Sequence, residues 1–117
     1  MRATLLALAT AVALTIPAGA GAASCTNLKV SSATKSAILE SYNGRGTFVR
    51  NSLYYGRCGS TYYAAASFRS PGAGLTDQPE SFKKSGSRWR DLGDGGCDPS
   101  NRDIPSSLKK IWKLCVD

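Results

Sequence analysis

Four cysteines are spread along a chain of only 117 residues, and they constrain its fold more than any other feature. Their spacings of 33, 39 and 18 residues include no Cys-x-x-Cys unit, so they favour disulfides over a zinc site or a redox dithiol. A domain of this size buries too little apolar surface to be secure without cross-links. The sequence therefore predicts one small domain stabilised by disulfides.

The first residues predict export, which supplies the oxidising compartment that disulfides need. Arg2 is followed by an apolar run from Leu5 to Ile16 and by small residues from Ala18 to Ala23. This is the order of a secretory signal peptide, and the run is shorter than the roughly 20 residues of a membrane span. We expect residues 1–23 to be a signal peptide, with cleavage near Ala23 or Ser24. Residues 24–117 then form a single secreted, extracellular domain with no membrane span.

One alternative concerns Cys25, which follows the cleavage zone, where a bacterial lipoprotein carries its lipidated cysteine. The preceding residues, Ala22-Ala23-Ser24, match that motif weakly, because a good match has Leu three residues before the cysteine. Lipidation would also leave three cysteines, an odd number, in an oxidising space. Anchoring through Cys25 stays open as the minor alternative.

Four cysteines allow three pairings, and the sequence does not choose among them. We expect Cys25–Cys58, which ties the N-terminal segment to the middle of the chain. We also expect Cys97–Cys115, which pins the last helix to the loop before it. Loop-closure entropy makes each bridge worth roughly 3–4 kcal/mol.

Hydrophobic periodicity predicts a helix at each end of the domain. The first covers Val30–Tyr42, with Ser31 or Ser32 as its N-cap and Asn43-Gly44 as a left-handed stop. The second covers Pro105–Val116 and has lysines opposite its apolar stripe. That stripe consists of Leu108, Ile111, Trp112 and Cys115.

Strands are predicted between the two helices. Thr47–Tyr55 and Thr61–Arg69 are rich in aromatic and β-branched residues, and alanines on one face of the second strand favour close approach of a helix. Phe82–Leu92 predicts a hairpin around Ser85-Gly86, with Trp89 pointing inward. The expected fold class is α+β, with an antiparallel sheet of about four strands flanked by an N-terminal and a C-terminal helix, and with two disulfides.

The absence of histidine excludes every catalytic or metal site that relies on imidazole. A glycosidase-like carboxylate pair needs a cleft, and Asp94-Gly95 and Asp98-Pro99 are typical of turns instead. Residues 91–103 are rich in the oxygen ligands that Ca²⁺ prefers, but the EF-hand glutamate is missing. We therefore expect no enzyme, no catalytic residue, no cofactor and no metal.

Positive charge and aromatic rings collect on the predicted strands, and the formal net charge of the chain is +7. This pattern favours an anionic cell-wall polymer or an acidic secreted protein as the partner. We do not expect nucleic acid, because no recognition motif is present. A merely solvated surface is the alternative that stays open. The candidate binding residues are Arg50, Arg57, Arg69, Lys83, Lys84, Arg88, Arg90, Tyr54 and Tyr63.

The C-terminal half has an ordered set of features: an aromatic strand, a hairpin with Trp, Leu-Gly, a cysteine loop, Ile-Pro and a helix ending in Cys. The residues are Phe82, Ser85-Gly86, Trp89, Leu92-Gly93, Cys97, Ile104-Pro105 and Cys115. This order resembles small secreted actinobacterial proteins of uncharacterised function. The resemblance implies a Cys97–Cys115 bridge and a bacterial secreted origin, and it implies no functional residues.

These observations predict a secreted, non-enzymatic, basic domain that acts by binding at or outside the cell surface. An inhibitor of a secreted protease or other hydrolase, presenting the loop Ser70–Pro79, is one alternative. A small secreted hydrolase or toxin using carboxylates and arginine is another. The sequence specifies neither the partner nor the oligomeric state.

Overall fold

The computed structural model describes residues 24–72, 74–75 and 78–115. The predicted signal peptide, residues 1–23, lies outside the described residues, as does Val116 at the predicted end of the second helix. The described residues form helices α1 (Ser32–Ser41) and α2 (Ser106–Trp112). In chain order the strands are β1 (Cys25–Asn27), β2 (Thr47–Phe48), β3 (Tyr54–Cys58), β4 (Thr61–Ala66), β5 (Phe68–Ser70), β6 (Gly74–Leu75), β7 (Glu80–Ser85) and β8 (Arg88–Gly93).

The strands form two antiparallel sheets, which with the two helices make the fold α+β, as predicted. The central sheet has the strand order β1-β3-β4-β7-β8, and a smaller sheet has the order β2-β5-β6. The expectation of about four strands was too low, because β1 and the short strands of the second sheet carry no alternation that a sequence pattern can detect.

The two helices pack on opposite faces of the central sheet. Ala64 and Ala65 are neighbours in β4, so their side chains point to opposite faces. Ala64 packs with Ile38 of α1, whereas Ala65 packs with Leu108 of α2. We call these faces the α1 face and the α2 face. Both alanines are fully buried, which confirms the close helix approach predicted from β4 and extends it to both faces.

On the α2 face the helix lies close to the backbone of β3. A Cβ atom at Gly56 would come within 2.8 Å of Leu108 Cδ1 and 3.2 Å of Trp112 Cζ2. The indole Nε1–H of Trp112 donates a hydrogen bond to Asn27 Oδ1 in β1, at 3.0 Å. Glycine at position 56 therefore makes room for the helix, and Trp112 fixes it to the edge strand.

The end of α2 differs from the prediction. Lys113 adopts the left-handed conformation (φ 53°), and Leu114 N–H donates to Lys109 O at 3.0 Å, which closes the helix at Trp112. A lysine in this conformation is uncommon, so the sequence contains no recognisable stop signal here.

This early end changes which side chains are buried. Leu114 folds back into the core at 8% exposure, while Ile111, predicted to lie on the apolar stripe, is 45% exposed. Leu108 and Trp112 are buried as predicted. The predicted stripe was therefore wrong at Ile111, which lies inside α2 but outside the buried row of Leu108 and Trp112. It was also wrong at Cys115, which follows the end of the helix and is exposed.

Helix α1 begins as predicted and ends for a different reason. Ser31 is the N-cap, and its Oγ accepts a hydrogen bond from Thr34 N–H at 3.2 Å. At the other end Tyr42 is extended, and neither Asn43 nor Gly44 has the positive φ that the predicted stop requires. Tyr42 instead stacks on Phe68 with ring centroids 3.7 Å apart.

Each of the first two predicted strands is divided between the two sheets. Thr47–Tyr55 breaks at a turn containing Asn51 (φ 60°), and Thr61–Arg69 breaks at Ser67. Ser52 holds both breaks: its Oγ accepts from Ser67 N–H at 3.1 Å and donates to Val49 O at 2.7 Å. One hydroxyl group thus fixes the point where both segments change sheets.

The predicted hairpin forms from β7 and β8, with its turn one residue later than expected. Ser85 pairs with Arg88, so the turn residues are Gly86 and Ser87, and Gly86 has the positive φ of 60° that such turns need. The predicted loop Ser70–Pro79 is not wholly irregular, because β6 lies within it and pairs with β5.

Both expected disulfides are present. Cys25 and Cys58 are cross-strand partners of β1 and β3, with Cα atoms 4.0 Å apart. Cys97 and Cys115 join the loop after β8 to the segment after α2, with Cα atoms 5.4 Å apart. No helix in residues 24–72, 74–75 and 78–115 is long and apolar enough to cross a membrane.

Candidate functional site

The nine predicted binding residues do not form one surface. Cross-strand register and alternation place five on the α2 face, two on the α1 face, and two outside the central sheet. Those on the α2 face are Tyr54, Tyr63, Lys83, Arg88 and Arg90. Those on the α1 face are Arg57 and Lys84, while Arg50 lies in the β2–β3 turn and Arg69 in β5.

The uncovered half of the α2 face is strongly cationic. Helix α2 packs against β1 and β3, which leaves β7 and β8 without a helix over them. Lys83 of β7 lies directly opposite Arg90 of β8, and Arg88 lies one row further along the same face. Arg88 and Arg90 are exposed and Lys83 is half-buried. We call Lys83, Arg88 and Arg90 the basic face.

The pairing of Lys83 with Arg90 is unfavourable for the isolated protein. Like charges directly opposite each other on one sheet face repel, at a cost of several tenths of a kcal/mol. Alternation along the five strands brings no aspartate or glutamate to this face to offset that repulsion. An anion bound to the basic face would relieve it.

A groove of about 770 Å³ continues from the basic face towards α2. Tyr63 joins the two, because it lines the groove and is also the β4 partner of Lys83. Arg102 and Lys110 line the groove and are both exposed. Neither was predicted as a binding residue, since they lie far from the strands in sequence and only the fold brings them to the same face.

Two other polar residues of the groove have structural roles. Lys109 Nζ donates to Asn101 O at 2.9 Å and so fastens the loop to α2. The Oδ1 atom of Asp98 accepts from the hydroxyl of Ser100 at 2.7 Å and from its backbone N–H at 2.9 Å. These hydrogen bonds lower the pKa of Asp98. Asp98 thus has the turn role that its Asp-Pro context predicted.

Two carboxyl groups converge elsewhere, beneath α1. Glu80 is 8% exposed, and its burial, the hydrogen bond it donates to Asp91, and the nearby charges of Asp91 and Asp94 raise its pKa to about 8. Asp91 accepts from the backbone N–H of Asn43 at 2.9 Å and from that of Gly93 at 2.9 Å. The pair therefore joins the end of α1 to β8, and the bonds of Asp91 make its role structural.

The loop that the sequence singled out for calcium is bonded internally. Asn101 Oδ1 accepts from Asp103 N–H at 2.8 Å, and Asp98 and Asp91 accept the hydrogen bonds described above. Within the described part of the chain, no group of three or more Cys, Asp or Glu side chains has a geometry suited to a metal ion.

The α1 face carries an aromatic surface that the sequence did not predict. Tyr55 and Tyr62 have nearly parallel rings (15°) with centroids 5.9 Å apart, and the Trp89 ring lies 6.0 Å from that of Tyr55. All three are half-buried, and we call them the aromatic strip. Burial and the neighbouring Tyr62 raise the pKa of Tyr55. Lys84 Nζ lies 5.6 Å from the Tyr62 ring centroid.

The tyrosines show why the predicted binding residues lie on two faces of the sheet. Adjacent tyrosines point to opposite faces, so Tyr54 and Tyr63 belong to the α2 face, and Tyr55 and Tyr62 to the α1 face. Tyr54 packs against Trp112 with centroids 5.8 Å apart, so it is a core residue. Strict alternation was the signal that could have separated Lys83 from Lys84 in the sequence.

Comparison with known proteins gives no further assignment. No protein-family model matches the chain, and no curated protein sequence or solved structure matches it at a significant level.

Proposed function

We propose that this protein is a secreted, non-enzymatic domain that binds an anionic polymer of the cell surface through the basic face. The observation that carries the proposal is the opposed Lys83–Arg90 pair, at a part of the α2 face that no helix covers and to which the strands bring no acidic side chain. A fold that places two cations face to face loses stability, and a polyanion restores it by neutralising both.

The shape of the surface supports a polymer as the ligand. The basic face continues through Tyr63 into the groove, where Arg102 and Lys110 add two exposed cations. A linear polyanion can follow this path and contact successive cations, whereas a small anion would contact only one or two of them. Attraction between exposed charges is screened by salt, so binding through this path is salt-dependent.

The proposal is tested by a pull-down of the purified protein with isolated bacterial cell walls. We expect retention at low salt and release on the order of 1 M NaCl, where the Debye length is about 3 Å. The double variant Lys83→Glu/Arg90→Glu should reduce retention about tenfold, because it replaces attraction by repulsion.

The matched control is Arg50→Glu, which reverses an exposed charge in the β2–β3 turn, away from the basic face. It should retain most of the binding. Salt-insensitive retention, no retention, or equal losses in the control and the double variant would each refute binding through the basic face. Retention that persists on walls stripped of their anionic polymer would also refute it.

A further inference from the structure

The aromatic strip extends from the edge of the α1 core to the part of the α1 face that α1 leaves open. Helix α1 packs against β8, and its buried residue Ile38 belongs to the core cluster of Phe82, Ala64 and Ala66, against which Trp89 also packs. Tyr55 and Tyr62, on β3 and β4, lie beyond that contact and remain partly exposed. Phe68 and Phe82, in the core cluster with Ile38, are by contrast completely buried.

Cations accompany the strip along one row across the sheet. Arg57 of β3 is the direct partner of Tyr62 in β4, and Lys84 of β7 is the direct partner of Trp89 in β8. Arg57 is exposed, and the ammonium group of Lys84 lies against the ring of Tyr62. The surface thus alternates positive groups with aromatic faces, which suits a ligand that has flat apolar faces and negative groups.

Nucleic acids and acidic polysaccharides both have such groups, and the arrangement of the rings distinguishes between these two ligands. The Tyr55 and Tyr62 rings are nearly parallel and in mutual contact, so no base can insert between them. Their half-buried position also leaves no protruding ring on which single bases could stack in succession. A sugar chain needs neither a gap between rings nor a protruding ring. Its own rings lie flat on the protein surface, with their C–H groups against the faces of the aromatic side chains.

We propose that the aromatic strip is a second binding site, for an acidic polysaccharide. Sugar rings lie over Tyr55, Tyr62 and Trp89, and sugar carboxylates pair with Arg57 and Lys84. This site is on the opposite side of the sheet from the basic face, so it stands whether or not the basic face binds a polymer.

The test measures binding of an oligogalacturonate hexasaccharide to the disulfide-bonded protein by calorimetry and by tryptophan fluorescence. We expect the fluorescence to change on binding, because Trp89 is part of the strip while Trp112, at the end of α2, is buried in the core on the other face of the sheet. Tyr62→Ala should weaken binding about tenfold, as the loss of a central aromatic contact does. Tyr62→Leu keeps an apolar side chain over the sheet, and it should also weaken binding of the hexasaccharide. A folding defect in the alanine variant therefore does not decide the result.

Arg57→Gln tests the carboxylate pairing, with Arg50→Gln in the β2–β3 turn as the matched control outside both proposed sites. Arg57→Gln should weaken binding of the acidic hexasaccharide severalfold, and Arg50→Gln should leave it unchanged. No binding of the acidic sugar, equal affinity for chitohexaose, or equal losses in both arginine variants would overturn the proposal. Oligo(dT) binding that is lost in the Tyr62 variants would overturn it in favour of nucleic acid. These outcomes do not depend on the wall pull-down, so the aromatic strip can bind the acidic sugar even if Lys83 and Arg90 bind no wall polymer.

Discussion

The two helices cover opposite faces of one sheet, and they are held there by different means. Helix α2 has only seven residues, lies over Gly56, and is followed directly by the Cys97–Cys115 bridge. Helix α1 has ten residues, and the Cys25–Cys58 bridge lies in the strand before it. It is held by Ile38, by the stacking of Tyr42, and by the carboxylate of Asp91. Neither helix is long enough to be stable alone. Helix α2 depends on packing and on a covalent bridge after its C-terminal end, whereas α1 depends on packing and on the hydrogen bond from Asn43 to Asp91.

This difference also separates the two proposed sites. Each helix leaves part of its own face of the sheet without a helix over it. The half beside α2 carries the opposed cations of the basic face, and the half beside α1 carries the aromatic strip. A protein of this size thus obtains two chemically distinct surfaces from one sheet, because the helices are offset from each other.

The largest expected effect comes from removing the bridge beside α2. The double variant Cys97→Ser/Cys115→Ser should lower the free energy of unfolding by about 3 kcal/mol, from the entropy of the loop that it opens. Amide hydrogen exchange should accelerate in α2 much more than in α1. Denaturant unfolding and exchange mass spectrometry measure the two quantities. Equal acceleration in both helices would show that they are not held independently.

The sequence predicted the parts of this comparison that depend on local patterns. The N-cap at Ser31, the β7–β8 hairpin and the burial of Leu108 and Trp112 follow from capping, turn and periodicity rules, and the structure shows all of them. The pairing of the cysteines was one of three alternatives, and the structure contains the expected one.

The features that the sequence did not predict depend on contacts between residues that are distant in the sequence. The division of two predicted strands between two sheets is held by the hydroxyl of Ser52 bonding to Ser67, and no local pattern encodes that contact. The left-handed Lys113 ended α2 without a glycine, and Leu114 then folded back into the core. The predicted binding surface was divided because Lys83 and Lys84 were treated as one patch, although adjacent strand residues face opposite sides.

A smaller effect is expected at the polar contact that holds α1. Glu80 has a pKa of about 8 in the folded protein and about 4.5 when unfolded, so the folded state retains the proton between these values. Stability should therefore fall as pH rises from about 4.5 to 8, because Glu80 and Asp91 repel once both are charged. Denaturant unfolding at several pH values measures this slope.

The matched variant is Glu80→Gln, which keeps a hydrogen-bond donor for Asp91 and cannot ionise. Its stability should vary much less across the same pH window, and the remaining dependence should match that of the other carboxyl groups. An unchanged slope in Glu80→Gln would show that another group controls the pH dependence, and that the Glu80–Asp91 contact does not hold α1.

The smallest effect concerns how the two helices begin. The hydroxyl of Ser31 caps α1, whereas Pro105 at the start of α2 makes no side-chain capping bond. Ser31→Ala should therefore cost about 1 kcal/mol in thermal or denaturant unfolding. The neighbouring Ser32→Ala is the control, because Ser32 is exposed and does not cap, and it should change stability by less than about 0.5 kcal/mol. Equal losses in the two variants would show that the loss does not come from the Ser31 cap, because Ser32 makes no capping bond to the first turn.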